Sequence, residues 1–485
     1  MDAAAVANGV RRRHLLVVGC LAASGLVLFW TRSVPLDASL WHDEAVTVRS
    51  YVAGGPQAIF FDHYIPNIHP LFSLLAWATT ELLGRTEAVL RAWSVVPAWT
   101  AVLVAAWWAW RRLSPEVAAL VVLLGAASPL HQSLAVQARG YGLGMLAGAG
   151  ALVAALEMRG DRPGVAATGF GVAAFAGVAT LPVFALAVIG HAVLLLADPR
   201  TRRSVLVVVP VVGAASSAVY APMITDVIDS SNQRFGEQVA PSGILTRPYD
   251  DLVEPLLRTL VPARYESVTD LLFVSAAFVL LVVSFMWCRV RGQLVLFSHL
   301  FVPVLLTYAA LSAGRFYVTT RFVSFLLVNV LLLAAIGLGG LLALIRRVPH
   351  GRAFAALALL ALVTVGLRNA IAAGQEAAAL PLEDAKLVGQ VVRGSGVDLV
   401  LSNTDRPPVL EHYLPGLLVA GPEGLETLFC EVTVPFAYVD HDNGTSPDPD
   451  TACLVGRVAA RVRVEQRTRG SFVVWLVAGR AQTDR

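Results

Sequence analysis

The strongest constraint on this chain is a succession of apolar runs, each long enough or nearly long enough to cross a lipid bilayer. A hydrocarbon core about 30 Å thick needs roughly 20 apolar residues in helical form. Such runs fall near residues 14–31, 70–84, 92–110, 116–130, 141–158, 165–182, 183–198, 204–222, 269–288, 293–313, 322–345 and 353–373. Those at 70–84 and 116–130 are short. Charge nearly vanishes along them: 15% of the 485 residues are charged and 56% are hydrophobic, against about 25% charged in soluble domains. In hydrocarbon each backbone N–H and C=O must be satisfied within its own segment, so these runs are expected to be helices. The expected fold class is an α-helical polytopic membrane protein of about 11–13 transmembrane helices. All basic residues but Lys386 are arginine, and with the abundant Ala, Val, Leu and Gly this suggests a high-GC bacterial genome.

Arginines mark one side. Cytoplasmic loops are rich in Lys and Arg, and the groups here are Arg11–Arg13, Arg111 and Arg112, Arg159 and Arg162, Arg200 with Arg202 and Arg203, Arg289 and Arg291, then Arg346, Arg347 and Arg352. The first run follows Arg11–Arg13 and has no convincing small-residue cleavage site after it, so it reads as an uncleaved anchor. Alternation from the last group places residues 131–141, 223–268, 314–321 and 375–485 outside, together with the stretch after the first run. One conflict stands: an even number of crossings is needed between residues 32 and 92, and one apolar run, 70–84, is visible there.

From about residue 375 the pattern changes. A helical stretch, a Gly turn and the strand-like "VDLVLSN" follow one another, and "RVRVEQRT" and "SFVVWLVAG" read as further strands. The expected division is a transmembrane domain over 1–374 and a small extracytoplasmic α/β domain over 375–485. Cys430 and Cys453 fall in the latter as a disulfide or as two free thiols, with neither favoured. Asn443-Gly444-Thr445 matches a glycosylation sequon and reads more simply as a turn.

Ionisable groups are almost absent from the helix cores. His191, His299 and Asn329 stand isolated in sequence and are expected to serve packing or helix–helix hydrogen bonds, whereas transporters place ionisable groups within their helices. The polar side chains collect at the outer helix ends. After the first run come His42, Asp43, Glu44, Asp62, His63 and His69; near 131–141 come His131, Gln132, Gln137, Arg139 and Tyr141; near 314–321 come Arg315, Tyr317 and Arg321. Guanidinium groups bind phosphate through paired hydrogen bonds, and a carboxylate takes a proton from a hydroxyl nucleophile. Acids beside arginines at headgroup level suit a lipid-phosphate substrate. The bland readings are acids opening an interfacial helix, arginines snorkelling to headgroups, and Trp30, Trp41, Trp107, Trp108 and Trp110 as interface anchors.

Three segments in order, "LWHDEAVTVRSYV", "NIHPLFSLLAWATTELLGRTEAVLRAWSV" and "ASPLHQSLAVQARGYGL", followed by "RFVSFLLVN", resemble the GT-C membrane glycosyltransferases, in particular the family 39 and RgtA-type proteins. The likeness spans roughly residues 14–345. It departs from the family pattern at His69-Pro70, where Leu71 replaces a second Pro, and at Gln137-Ala138-Arg139, which lacks the usual central acid.

The resemblance implies an inverting glycosyltransferase that draws its sugar from a polyprenyl-phosphate donor. Asp43 would be the base, with Glu44 orienting it or acting in its place. His69, Gln137, Arg139, Tyr141, Arg315 and Arg321 would bind substrate. A divalent metal ion is a possible cofactor, with Asp43, Glu44 and Asp62 as candidate hard oxygen ligands. The expected partners are the lipid-linked donor, an envelope glycan, glycolipid or protein acceptor, and membrane lipid, with no nucleic acid. The expected place is the bacterial cell (inner) membrane, with the site on the extracytoplasmic face. Mannose and arabinose are both reasonable sugars. The rival readings are a lipid-linked-sugar transporter or flippase, and a non-catalytic envelope scaffold.

Overall fold

The computed structural model describes residues 36, 40, 42–61, 68–225, 268–313 and 320–351, parts of 353–368, and residues 385–397, 399–402, 412–414, 418–420, 435–441, 458–465 and 471–477. The run at 14–31 with Cys20 and Trp30, as well as Trp41, Asp62, His63, Arg315, Tyr317, Cys430, Cys453 and Asn443, lie outside the described residues. The chain divides into two units. The first comprises Met1–Leu36 and Gly55–Ala377, the second Asp37–Gly54 and Ala378–Arg485.

The first unit is a helix bundle. Its described helices are α2 (Gly55–Phe61), α3 (Pro70–Leu83), α4 (Glu87–Arg112), α5 (Pro115–Ala127), α6 (Pro129–Ala135), α7 (Tyr141–Glu157), α8 (Pro163–Thr180), α9 (Ala185–Leu196), α10 (Pro199–Tyr220), α11 (Val268–Val290), α12 (Leu294–Ala313) and α13 (Leu327–Ile345). Each apolar run from 70–84 to 322–345 thus forms a helix within a few residues of its expected bounds. Several starts are dictated by sequence. Thr86, Ser114 and Ser128 each accept a backbone N–H three residues on, at α4, α5 and α6, and Pro opens α3, α5, α6, α8 and α10, where no N–H is needed. Among the described residues, five helical stretches are long and apolar enough to cross a membrane, and five more are shorter apolar helices. Among the described residues between 37 and 92, Pro70–Leu83 is the sole helix of more than seven residues before α4.

At the centre lies α7, "YGLGMLAGAGALVAALE", packed against α4 on one side and α8 on the other, with the 3₁₀ segment Thr320–Leu326 across it. Small residues let membrane helices approach closely, because association there depends on packing rather than on exclusion of water. A Cβ on Gly142 would strike the Ser94 carbonyl of α4, and one on Gly148 would strike the Phe325 carbonyl of the 3₁₀ segment.

The helix–helix hydrogen bonds expected of His191, His299 and Asn329 are present, and the expectation for Trp108 changes. His191 of α9 and His299 of α12 are not isolated: their Nδ1 atoms lie 3.1 Å apart with the rings stacked, and the Asn329 amide of α13 donates to the His299 and Leu300 carbonyls. These residues knot three helices together. Trp108 is not an interface anchor; it is buried, and its indole N–H donates to Glu157 Oε1 at 2.9 Å, whereas Trp107 and Trp110 are about half exposed.

The second unit carries α1 (His42–Thr47), which runs on as a π-helical turn (Val48–Val52), then α14 (Ala385–Ser395) and five strands: β1 (Leu399–Ser402), β2 (Leu418–Ala420), β3 (Phe436–His441), β4 (Val458–Glu465) and β5 (Ser471–Val477). The sheet order is β2-β1-β3-β5-β4, with β1 parallel to β2 and β3, and β5 antiparallel to β3 and β4. Val388, Val392, Val400, Phe436 and Val474 are buried in it. Strands β2 and β3 were not expected from the sequence; β2 is three residues long. Residues 37–54 join this unit through Tyr413, whose hydroxyl accepts the Leu40 N–H at 2.7 Å while its carbonyl accepts Arg393 Nη2 at 2.7 Å.

Candidate active site

In the helix bundle, four of the expected site residues come together where α3, α7 and the 3₁₀ segment begin. His69 is the residue before α3; Arg139 and Tyr141 flank the start of α7; Arg321 opens the 3₁₀ segment. The Arg139 Cζ atom lies 5.0 Å from the centre of the Tyr141 ring, and that ring meets His69 edge-on at 5.4 Å. Arg139 and Tyr141 are almost wholly buried, Arg321 half-buried. Backbone order holds Arg139: its N–H donates to Ser94 Oγ at 3.2 Å, and Ser94 Oγ–H donates back to the Arg139 carbonyl at 2.6 Å. Ser94 was missed by sequence reading, although a lone serine inside the apolar "RAWSVVPAW" was a signal.

His69 is held by Thr180, the last residue of α8. A carbonyl only accepts, so the 3.1 Å contact between His69 Nδ1 and the Thr180 oxygen puts the proton on Nδ1 and leaves a lone pair on Nε2. Burial pushes the imidazole down to about 3, and the neighbouring positive charge of Arg139, with a smaller contribution from Arg321, acts in the same direction. His69 is therefore neutral, an acceptor set among guanidinium donors. His69 Nε2, Ser73 Oγ and Gln137 Oε1 are buried without a hydrogen-bond partner among the described residues. Buried polar atoms are nearly always satisfied, so three on the segments that build one cluster mark a place made for a polar ligand.

The electrostatics specify its sign. Arg139 precedes the N-terminus of the 17-residue α7, where the aligned peptide dipoles are positive, and Arg321 adds its charge beside His69. Such an end attracts anions, phosphate above all. This part of the site suits an anion rather than a divalent cation. Among the described residues no three His, Cys, Asp or Glu side chains gather as a metal site; Asp62, third of the candidate oxygen ligands, is not described.

Asp43 and Glu44 lie in the first turn of α1 in the second unit, Asp43 half-buried and Glu44 buried. Arg315 is outside the described residues. Gln137 is half-buried, and its carbonyl accepts the Arg139 N–H at 2.7 Å. His131 and Gln132 serve packing: His131 Nε2 is 3.0 Å from the Ala98 carbonyl, and the Gln132 amide donates to the Ala126 carbonyl.

An apolar groove of about 620 Å³ lies between α8, α9 and α10. Val178, Val188, Val212 and Tyr220 line it, and the Tyr220 hydroxyl donates to the Val178 carbonyl at 2.9 Å. Val178 precedes Thr180, the residue that holds His69, by two positions. The groove thus reaches the same end of α8 as the cationic cluster.

No family model and no curated protein sequence matches this chain. Solved structures do match. ArnT from Cupriavidus metallidurans in the apo state is 13% identical, with a TM-score of 0.58 over 96% of this chain and 99% of that one. The same protein bound to undecaprenyl phosphate is 15% identical, with a TM-score of 0.55 over 95% and 98%. The archaeal oligosaccharyltransferase AglB from Archaeoglobus fulgidus, in complex with an inhibitory peptide and a dolichol-phosphate, is 12% identical, with a TM-score of 0.54 over 88% and 69%. The chain is a multi-pass membrane protein with the GT-C fold that its short motifs led us to expect.

Proposed function

We propose that this protein is an inverting glycosyltransferase that moves a sugar from a polyprenyl-phosphate donor to a cell-envelope acceptor on the extracytoplasmic face. One observation carries the reading: an apolar groove of about 620 Å³ reaches the end of α8 whose last residue, Thr180, holds His69 of the cationic cluster. An isoprenoid chain fits the groove, and a phosphate fits the cluster. ArnT bound to undecaprenyl phosphate and AglB with a dolichol-phosphate share the fold and hold lipids of this class.

In this reading the acceptor hydroxyl gives its proton to the Asp43 carboxylate, and its oxygen forms a bond to the anomeric carbon. The bond from that carbon to the phosphate oxygen breaks, and polyprenyl phosphate leaves with the electron pair. Positive charge develops on the sugar as in glycoside hydrolysis. Arg139 and Arg321, with Arg315, stabilise the departing phosphate. Neutral His69 accepts a hydrogen bond from a sugar or acceptor hydroxyl, Gln137 and Tyr141 line the donor, and Glu44 orients Asp43 or takes its role. A divalent ion, where required, would be held by the oxygens of Asp43, Glu44 and Asp62. The acceptor is an envelope glycan, glycolipid or protein, and mannose and arabinose are the first donor sugars to try.

The test is to incubate purified protein and its Asp43→Asn variant with polyprenyl-phosphate mannose, polyprenyl-phosphate arabinose and an envelope lipid extract, following transfer by mass spectrometry. Transfer by the wild type and none by the variant is the expected result. No transfer from any donor by folded protein would discard the reading.

A further inference from the structure

The other end of the bundle holds a second cavity with different chemistry. Helix α13 begins just after Arg321 and runs 19 residues to Ile345, about 28 Å at 1.5 Å per residue. At its far end a cavity of about 330 Å³ opens between α5, α11 and α13. Its polar lining is Ser114, Glu116, Arg291, Gln293 and Arg346, and its remaining wall is mostly apolar.

The charges in this cavity are incompletely matched. Two other arginines on the arginine-rich side meet carboxylates at hydrogen-bond distance: Arg112 Nε to Glu157 at 2.8 Å and Arg159 Nε to Asp198 at 2.6 Å. Arg346 instead stands 3.8 Å from Glu116, too far for a hydrogen bond. Arg291 lies over the Trp287 ring at 4.1 Å and has no carboxylate partner among the described residues. Stacking uses the face of a guanidinium and leaves its in-plane N–H groups for another acceptor. Two guanidiniums against one carboxylate leave the cavity with net positive charge. Val290, Leu341 and Leu344 beside it expose apolar side chains, which in a membrane protein face acyl chains.

We propose that this cavity binds the headgroup of an anionic phospholipid, with its phosphate between Arg291 and Arg346 and its acyl chains along the apolar surface beside it. Basic pockets between transmembrane helices hold anionic headgroups in this way, and bidentate contacts give arginine the advantage there. The site is separate from the donor cluster and does not depend on the proposed transferase activity.

Native mass spectrometry of the full-length protein in detergent, with phosphatidylglycerol and phosphatidylcholine as competing probes, tests this. Wild type should retain phosphatidylglycerol preferentially. The double variant Arg291→Gln/Arg346→Gln should lose roughly thirtyfold in retention, as expected for two arginines at a headgroup. Glu116→Gln, which removes the competing acid, should raise retention, and it decides the matter if the double variant does not fold. Equal retention of the two lipids by wild type, unchanged preference in the double variant, or no gain in Glu116→Gln would overturn the proposal. Displacement of the lipid by millimolar inorganic phosphate would reassign the cavity to a soluble anion and also overturn it.

Discussion

Arg139 and Arg112 lie at opposite ends of α7, and the protein treats them differently. Arg112 closes α4, where the helix dipole favours a cation, and pairs with Glu157 at the C-terminus of α7 with its side chain 56% exposed. Arg139 precedes the N-terminus of α7, where the same dipole disfavours a cation, and it is 1% exposed. An exposed arginine at a helix C-terminus costs little and marks a side of the membrane. A buried one at a helix N-terminus stands against burial and against the dipole together, and its backbone is fixed in place. The Ser94 clasp on its backbone and the small residues of α7 do the holding.

If that contrast is correct, equal truncations will have unequal effects. Arg139→Ala should lower the transfer rate by about 10²–10³-fold, the usual cost of removing one donor from a charge-stabilising site. Arg112→Ala should stay within about twofold of wild type, because an exposed pair contributes little. Initial rates at saturating donor make the comparison, and equal losses would break it. The clasp itself is probed by Gly142→Ala, whose methyl group meets the Ser94 carbonyl. Overpacking of this kind costs about 1–3 kcal/mol, and should appear as a lower unfolding midpoint in detergent together with a partial loss of transfer as Arg139 shifts.

Helix positions were legible because backbone satisfaction in lipid leaves apolar runs one option, and because Pro, Ser and Thr punctuate their starts. The gathering of His69, Arg139, Tyr141 and Arg321 was legible as a set of outer polar residues, but not as a geometry. Nothing in the local pattern says that the Thr180 carbonyl fixes the His69 tautomer or that Phe325 rests on Gly148; both are contacts between segments distant in sequence. The same limit hid the His191–His299–Asn329 knot, since three polar residues on three helices read as isolated until the helices are packed. Residues 37–54 meet the C-terminal unit at the hydroxyl of Tyr413, 373 residues from Leu40. No periodicity encodes such a bond.

The cationic end should also respond to pH where the exposed end does not. His69 is held down to about 3 from an ordinary 6.5, so between these values the unfolded chain takes up a proton that the native state refuses. Stability is then full above about 6.5 and falls as pH drops toward about 3, with a slope of at most about 1.4 kcal/mol per pH unit. The unfolding midpoint of wild type minus that of His69→Asn, followed from pH 7.5 to 4.5, should narrow as the medium is acidified; a constant difference would mean that His69 is protonated in the native state.

The smallest expected effect is at the other end of α7. A double-mutant cycle on Arg112→Ala and Glu157→Gln should give a coupling below about 1 kcal/mol, further weakened by salt. Glu157 also accepts the buried Trp108 indole N–H, so Glu157→Gln keeps an acceptor there while removing the charge. A coupling of several kcal/mol would mean that Glu157 holds its arginine as firmly as Ser94 holds Arg139. The two ends of α7 would then differ in degree of exposure but not in the work their arginines do.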